Sequence, residues 1–176
     1  MAEPTVELRS FLTRTPFFGG LKDGALDHVI LALQERSLAP GEIVFREGES
    51  GRSMYVIAEG DVVMLREGER AKVRLFHLGV GDFFGETTLI EMQPRPYTAR
   101  IDAQARLFEL TARDLYALYR EDIAAYVLVL QNINRELCRR LRTADARIAE
   151  LAEQFGDERT QMSGLRTTGP LAPLRR

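Results

Sequence analysis

Two side chains nine residues apart carry the chemistry of this sequence: Glu86, in the run Gly81-Asp82-Phe83-Phe84-Gly85-Glu86-Thr87-Thr88-Leu89, and Arg95, in Pro94-Arg95. A glycine at position 85 lets the backbone approach a ligand closely, and the turn after it can turn several amide donors toward an anion. An ionised Glu86 only accepts hydrogen bonds, which suits a sugar hydroxyl, whereas the planar fork of Arg95 suits a phosphate. An acid for a hydroxyl and an arginine for a phosphate describe a site for a sugar phosphate or nucleotide. No Ser-His-Asp, Cys-His or paired-carboxylate arrangement points to catalysis, so the chain is not expected to be an enzyme.

The segments that must position these residues follow from periodicity. Residues 7 to 38 read as helices, with Leu8, Phe11 and Leu12, then Leu26, Val29, Ile30 and Leu33, at helical spacing on either side of Pro16-Phe17-Phe18-Gly19-Gly20 and Asp23 as a cap. From Ala39 to Leu110 the period changes to two. Short apolar runs, among them Ile43-Val44-Phe45, Met54 to Ile57, Val62 to Leu65, Val73 to Leu78 and Ala99 to Ala103, alternate with Gly48, Gly51, Gly60, Gly68, Gly79 and Gly81. That punctuation predicts short antiparallel strands folded into a roll or small barrel. The expected fold class is α+β, mainly β: an antiparallel β-roll or jelly roll flanked by short N-terminal helices and a long C-terminal helix.

That last helix is expected over 114–155, because Leu115 to Phe155 contains no Gly or Pro. Its apolar residues fall on heptad seams, Val127, Asn134, Leu141, Ile148 and Phe155 on one and Ile123, Leu130, Leu137, Ala144 and Leu151 on the other, so a parallel homodimer through Ile123 to Phe155 is expected. The competing reading is an amphipathic helix lying along its own domain. Beyond it, 156–176 is rich in Gly, Pro, Thr and Arg and reads as a disordered tail. The expected organisation is a helical segment over 1–38, a β-roll with the site over 39–113, the helix over 114–155 and the tail over 156–176.

Composition excludes several classes. The 176 residues carry 24 basic and 26 acidic side chains, a net charge of -2, which disfavours a protein built to wrap nucleic acid. One cysteine, Cys138, and two distant histidines, His28 and His77, leave no set of metal ligands, so neither metal nor cofactor is expected. Cys138 is expected to be buried beside the helical seam, His77 to be a sheet residue and His28 to lie on a helix face. No apolar run approaches the roughly 20 residues needed to cross a bilayer, and a reducing, cytoplasmic location is expected.

The ordered motifs resemble a known family. Phe11-Leu12 to Pro16-Phe17-Phe18, Pro40-Gly41-Glu42-Ile43-Val44-Phe45-Arg46-Glu47-Gly48, Met54-Tyr55-Val56-Ile57-Ala58-Glu59-Gly60 and Phe84-Gly85-Glu86 to Pro94-Arg95 together are similar to cyclic nucleotide-binding domains of the catabolite-activator and kinase-regulatory-subunit type, over about Phe11 to Leu151. The resemblance implies a noncatalytic receptor for cAMP or cGMP. It assigns a backbone amide to Gly85, the ribose 2'-hydroxyl to Glu86, the cyclic phosphate to Arg95, and a phosphate-facing amide to Thr88, next to Thr87.

Four positions depart from that pattern. Where the family has small residues after the arginine, this chain has Pro96, which lacks an N–H, and Tyr97. An alternative alignment with a loop two residues longer would put Tyr97 in the arginine's place; the shorter one needs no insertion and keeps Arg95. Where activator relatives use a Thr-Ser pair for the purine, this chain has Ala144-Asp145 after Arg139-Arg140-Leu141, leaving Thr143 as the candidate base contact. The choice between cAMP and cGMP stays open. Some 20 residues follow Phe155, too few for a helix-turn-helix, so DNA binding is not expected and the output passes to an unidentified protein partner. The competing function is a degenerate member of the fold that binds no nucleotide and acts as a dimeric interaction scaffold.

Overall fold

A computed structural model describes residues 5–68 and 71–154. The chain divides into two units, Met1–Glu136 and Leu137–Arg176. The first begins with helices α1 (Val6–Thr13) and α2 (Asp23–Ala32), followed by strands β1 (Gln34–Leu38), β2 (Ile43–Phe45), β3 (Ser53–Glu67), β4 (Lys72–Leu78) and β5 (Phe83–Phe84). Helix α3 (Thr87–Glu91), strand β6 (Thr98–Thr111) and helix α4 (Ala112–Glu121) come next, and α5 (Ile123–Gln154) runs from the first unit into the second.

The sheet is entirely antiparallel and is built on two long strands. β3 and β6 pair with each other from Ser53↔Thr111 to Leu65↔Thr98, with register shifts clustered between Ile57 and Val62. Each long strand has a different partner on either side of that irregularity. β6 takes β2 at Ala99 and Arg100 and β1 at Ala105 to Glu109, while β3 takes β5 at Tyr55 and Val56 and β4 at Val62 to Glu67. The bend encloses a core of Phe45, Tyr55, Ile57, Val62, Met64, Leu78, Phe84, Tyr97, Ala99, Ile101, Ala105 and Leu107. This is the expected α+β, mainly antiparallel roll, but two of its strands, β3 and β6, are longer than the glycine-bounded runs suggest. Gly60 interrupts the apolar pattern without ending the strand, because its φ of 80° carries the chain through the bend.

Two expectations for the flanking elements are corrected. The helices stop at Ala32, and residues 34–38, expected to be helical, form β1: Leu33 turns extended at ψ 134° and the next five residues pair with β6. Ladder partners 67 to 75 positions away overrode a local helical pattern. Asp23 is the first residue of α2 and caps nothing; the N-cap is Lys22, without a side-chain bond.

The single long helix is likewise two. Asp122, at φ -142° and ψ 90°, breaks it, and its Oδ1 accepts from the Ala125 amide at 2.9 Å as the start of α5. In the sequence, Arg120-Glu121-Asp122 reads as a solvated helix face; the structure makes Asp122 a cap, and Glu121 meets His28 Nδ1 at 2.7 Å, joining α4 to α2. α4 has its own signal, a capping box in which the Thr111 hydroxyl accepts from the Asp114 amide and Asp114 Oδ2 accepts from the Thr111 amide at 2.8 Å. Thr111→Ala is expected to cost about 1 kcal/mol of stability, read as a lower urea midpoint with an unchanged m-value.

Within the first unit, α5 buries Ala125, Val129, Asn132, Ile133 and Glu136. Asn132 Nδ2 donates to the carbonyls of Phe17 and Gly19 at 3.0 and 2.9 Å, clamping the helix to the loop that carries the fully buried Phe17 and Phe18. The heptad residues Ile123 and Val127 lie on a different stripe and are exposed. In the second unit Leu141, Ile148 and Leu151 are exposed, and so is Cys138, which was expected to be buried. Phe155 and the expected tail, 156–176, lie outside the described residues. No helix among the described residues is long and apolar enough to cross a membrane.

Candidate functional site

The site begins where β5 ends. Gly85 has φ 82°, a left-handed conformation that reverses the chain out of the core, and Glu86 follows as the N-cap position of α3 with 0% exposure. A carboxylate is taken wholly out of water only where something rewards it. Met92, at φ 54°, ends α3, and the chain returns to the sheet through Pro94, Arg95 and Pro96. This return is pinned: the Arg95 amide donates to the Glu49 carbonyl at 2.8 Å and the Gly48 amide donates to the Arg95 carbonyl at 2.9 Å. Pro96 further biases Arg95 to an extended backbone.

Those constraints drive the Arg95 side chain inward, where it is 4% exposed. Nη1 donates to the Gly85 carbonyl and the Thr88 hydroxyl, both at 2.9 Å, and Nη2 to the Ser53 carbonyl at 2.7 Å. The guanidinium lies 4.0 Å from the centroid of the Phe45 ring, a cation–π contact. Nε is buried and has no hydrogen-bond partner. Burial pulls the Arg95 pKa below the usual guanidinium range, while the Tyr55 and Tyr97 hydroxyls and the Glu109 and Glu86 carboxylates oppose the shift. It remains a cation at neutral pH.

Space around the guanidinium is reserved by glycine. A Cβ at Gly51 would sit 2.2 Å from Arg95 Nε, and one at Gly85 would sit 2.6 Å from Nη1. Nearby, the Tyr55 hydroxyl donates to Glu109 Oε1 at 3.3 Å and Arg36 Nη1 reaches Glu109 Oε2 at 3.4 Å. Burial first, then the Glu109 charge, raises the Tyr55 pKa.

The structure thus brings Gly85, Glu86, Thr88 and Arg95 together. The Thr88 hydroxyl donates to the Gly85 carbonyl at 2.9 Å while accepting from Arg95, so its one proton serves the cassette itself. The Thr87 hydroxyl is buried without a partner. Pro96 is exposed, whereas Tyr97 is 8% exposed and belongs to the core. Thr143 falls in the second unit, where its hydroxyl donates to the Arg139 carbonyl at 3.1 Å. Ser53, Gly51 and Phe45 are the supporting residues that motif reading missed. Gly51 and Phe45 do stand in the quoted glycine and strand patterns, but nothing local says that they face Arg95. Among the described residues no group of three or more His, Cys, Asp or Glu is placed to hold a metal.

An antiparallel roll in which a Gly-Glu turn and a buried arginine face one interior defines a class, and the comparisons with known proteins agree on it. The model of the cyclic nucleotide-binding domain family matches residues 35–122. The cyclic AMP receptor protein of Thermus thermophilus is 32% identical over 170 residues, covering 92% of this chain and 75% of that protein. The mouse cyclic nucleotide-gated channel alpha-4 is 29% identical over 165 residues; there the match covers 89% of this chain and 28% of the channel. Among solved structures, the Thermus thermophilus catabolite activator protein aligns with a TM-score of 0.67 at 31% identity, over 78% of this chain and 63% of that one. This chain belongs to the cyclic nucleotide-binding domain family.

Proposed function

We propose that the chain is a noncatalytic receptor module that binds a cyclic mononucleotide, cAMP or cGMP, at Gly85, Glu86, Thr87, Thr88 and Arg95. The observation that carries the reading is the orphaned Nε of Arg95: three bonds hold the two terminal nitrogens in place, and the remaining edge of the fork, buried beside a buried carboxylate, has nothing to donate to. A phosphate oxygen satisfies that edge, and the Glu86 carboxylate accepts from a ribose hydroxyl. The Thermus thermophilus relative named a cyclic AMP receptor protein supports the ligand class.

The rest of the reading concerns output. The exposed apolar residues Ile123, Val127, Leu141, Ile148 and Leu151 of α5 supply a seam for a parallel homodimer, and Thr143 is its candidate base contact. The roll, 39–113, receives the ligand and 114–155 carries the response to a protein partner rather than to DNA, consistent with the net charge of -2. The single cysteine fits a cytoplasmic setting. A second reading, a dimeric scaffold that binds no nucleotide, draws on the lost N–H of Pro96 and the buried ring of Tyr97.

Calorimetric titration of the full chain with cAMP and with cGMP separates the two. The receptor reading expects saturation at one ligand per chain, and about tenfold weaker binding for Glu86→Gln, which keeps the shape and removes the charge that strengthens a hydroxyl contact by about 1.4 kcal/mol. No heat and no ligand-dependent shift of the melting temperature at millimolar nucleotide favours the scaffold.

A further inference from the structure

Tyr97 stands two residues after the buried cation and points the same way. Its ring lies against Phe45, centroids 6.3 Å apart, and Phe45 is the ring on which the Arg95 guanidinium rests. On its other side Tyr97 meets Phe76 of β4 edge to face, with centroids 5.5 Å apart, and Phe76 is 36% exposed on the last strand of the sheet path. Arg95, Phe45, Tyr97 and Phe76 therefore form one chain of contacts, cation over ring, tilted and then edge to face, from Arg95 to the partly exposed Phe76. A nucleotide anchored at Arg95 and Glu86 has to lay its sugar and base along the same interior. With only 8% of its surface accessible, Tyr97 has no ring face left to offer a purine, so it is not a stacking platform as it stands.

We propose that Tyr97 is an internal gate of the site: its ring holds volume next to Arg95 that the ligand needs, and binding requires the ring to swing out. The inference rests on the nucleotide-binding reading. Its backbone position permits the motion, because Tyr97 lies in the bend before β6 rather than in the ladder, which starts at Thr98. Such a gate acts as a selection step. If the open conformer is populated at about 1 to 10%, the apparent affinity is about tenfold to hundredfold weaker than the intrinsic one, and removing the ring restores the difference.

The test is calorimetric titration of the full chain with cAMP and cGMP in wild type, Tyr97→Ala and Tyr97→Phe, with stopped-flow association run alongside. The gate predicts at least about tenfold tighter binding for Tyr97→Ala and near wild-type binding for Tyr97→Phe, which keeps the ring. It also predicts an association rate that levels off at high nucleotide in wild type and rises linearly in Tyr97→Ala, a behaviour that a merely looser core does not produce. Equal or weaker binding by Tyr97→Ala overturns the gate and leaves the receptor reading intact. Absence of binding in wild type and in Tyr97→Ala overturns both. If Tyr97→Ala fails to melt cooperatively, Phe76→Ala, which removes the edge-to-face contact holding the ring, replaces it: tighter binding supports the gate, and unchanged affinity overturns it.

Discussion

Arg95→Leu is expected to weaken cyclic nucleotide binding by about tenfold to a hundredfold and to lower stability by about 1 to 3 kcal/mol. The affinity loss follows from the charge-assisted bond that the unpaired Nε would make to a phosphate oxygen, about 1.5 to 3 kcal/mol or one to two decades. Stability falls by less than the loss of three bonds would suggest, because a buried cation also costs desolvation and an apolar side chain of similar reach suits the face of Phe45, but the buried Glu86 carboxylate loses a neighbouring positive charge. The Gly85 carbonyl keeps the Thr88 hydroxyl as a donor, so the Ser53 carbonyl is the acceptor left without a side-chain partner. A companion variant separates loss of the charge from loss of its position. Gly51→Ala keeps the arginine but sets a Cβ 2.2 Å from Nε, and because the obstructed group is the end of a flexible side chain, the guanidinium moves rather than the backbone. Titration of both variants, with thermal melts beside them, should show parallel losses of affinity; full binding by Gly51→Ala would mean that Nε is not the edge the phosphate uses.

What the sequence made legible was whatever is encoded locally. Gly85, Glu86 and Arg95 were recognisable because a left-handed turn, a carboxylate and a guanidinium at a fixed spacing carry chemical meaning before any contact is known. The two-residue period likewise betrayed the roll. The support around Arg95 was not legible, since Ser53, Gly51 and Phe45 reach it from positions 42 to 50 residues earlier in the chain, and no spacing rule joins them. β1 was misread for a similar reason: Gln34–Leu38 becomes a strand only because β6 offers partners at Ala105 to Glu109. At Asp122 the failure is different. The cap was present as a residue type, but among charged neighbours on a helix it looked like solvated surface until its bond to Ala125 was seen. Tyr97 is the reverse case, a residue whose size marked it as a departure and whose burial gives that departure a physical consequence.

Gly60→Ala is expected to destabilise the chain by about 3 kcal/mol or more. Two costs combine. An alanine in the left-handed conformation required at φ 80° loses about 1 to 2 kcal/mol. Its Cβ would also lie 2.1 Å from the Gln104 carbonyl oxygen and 2.8 Å from the Ala105 Cα, atoms of the partner strand's backbone that cannot rotate aside. β6 must move where it pairs with β3, which is the bend on which the whole roll is folded. Urea titration should give a lower midpoint, and binding should fail together with folding, because β3 brings Ser53 to Arg95 and Tyr55 to Glu109. That coupling distinguishes the two glycines. Gly51 faces a side chain that can yield, so its substitution removes function from a folded protein; Gly60 faces a backbone that cannot, so its substitution removes the fold on which the function stands.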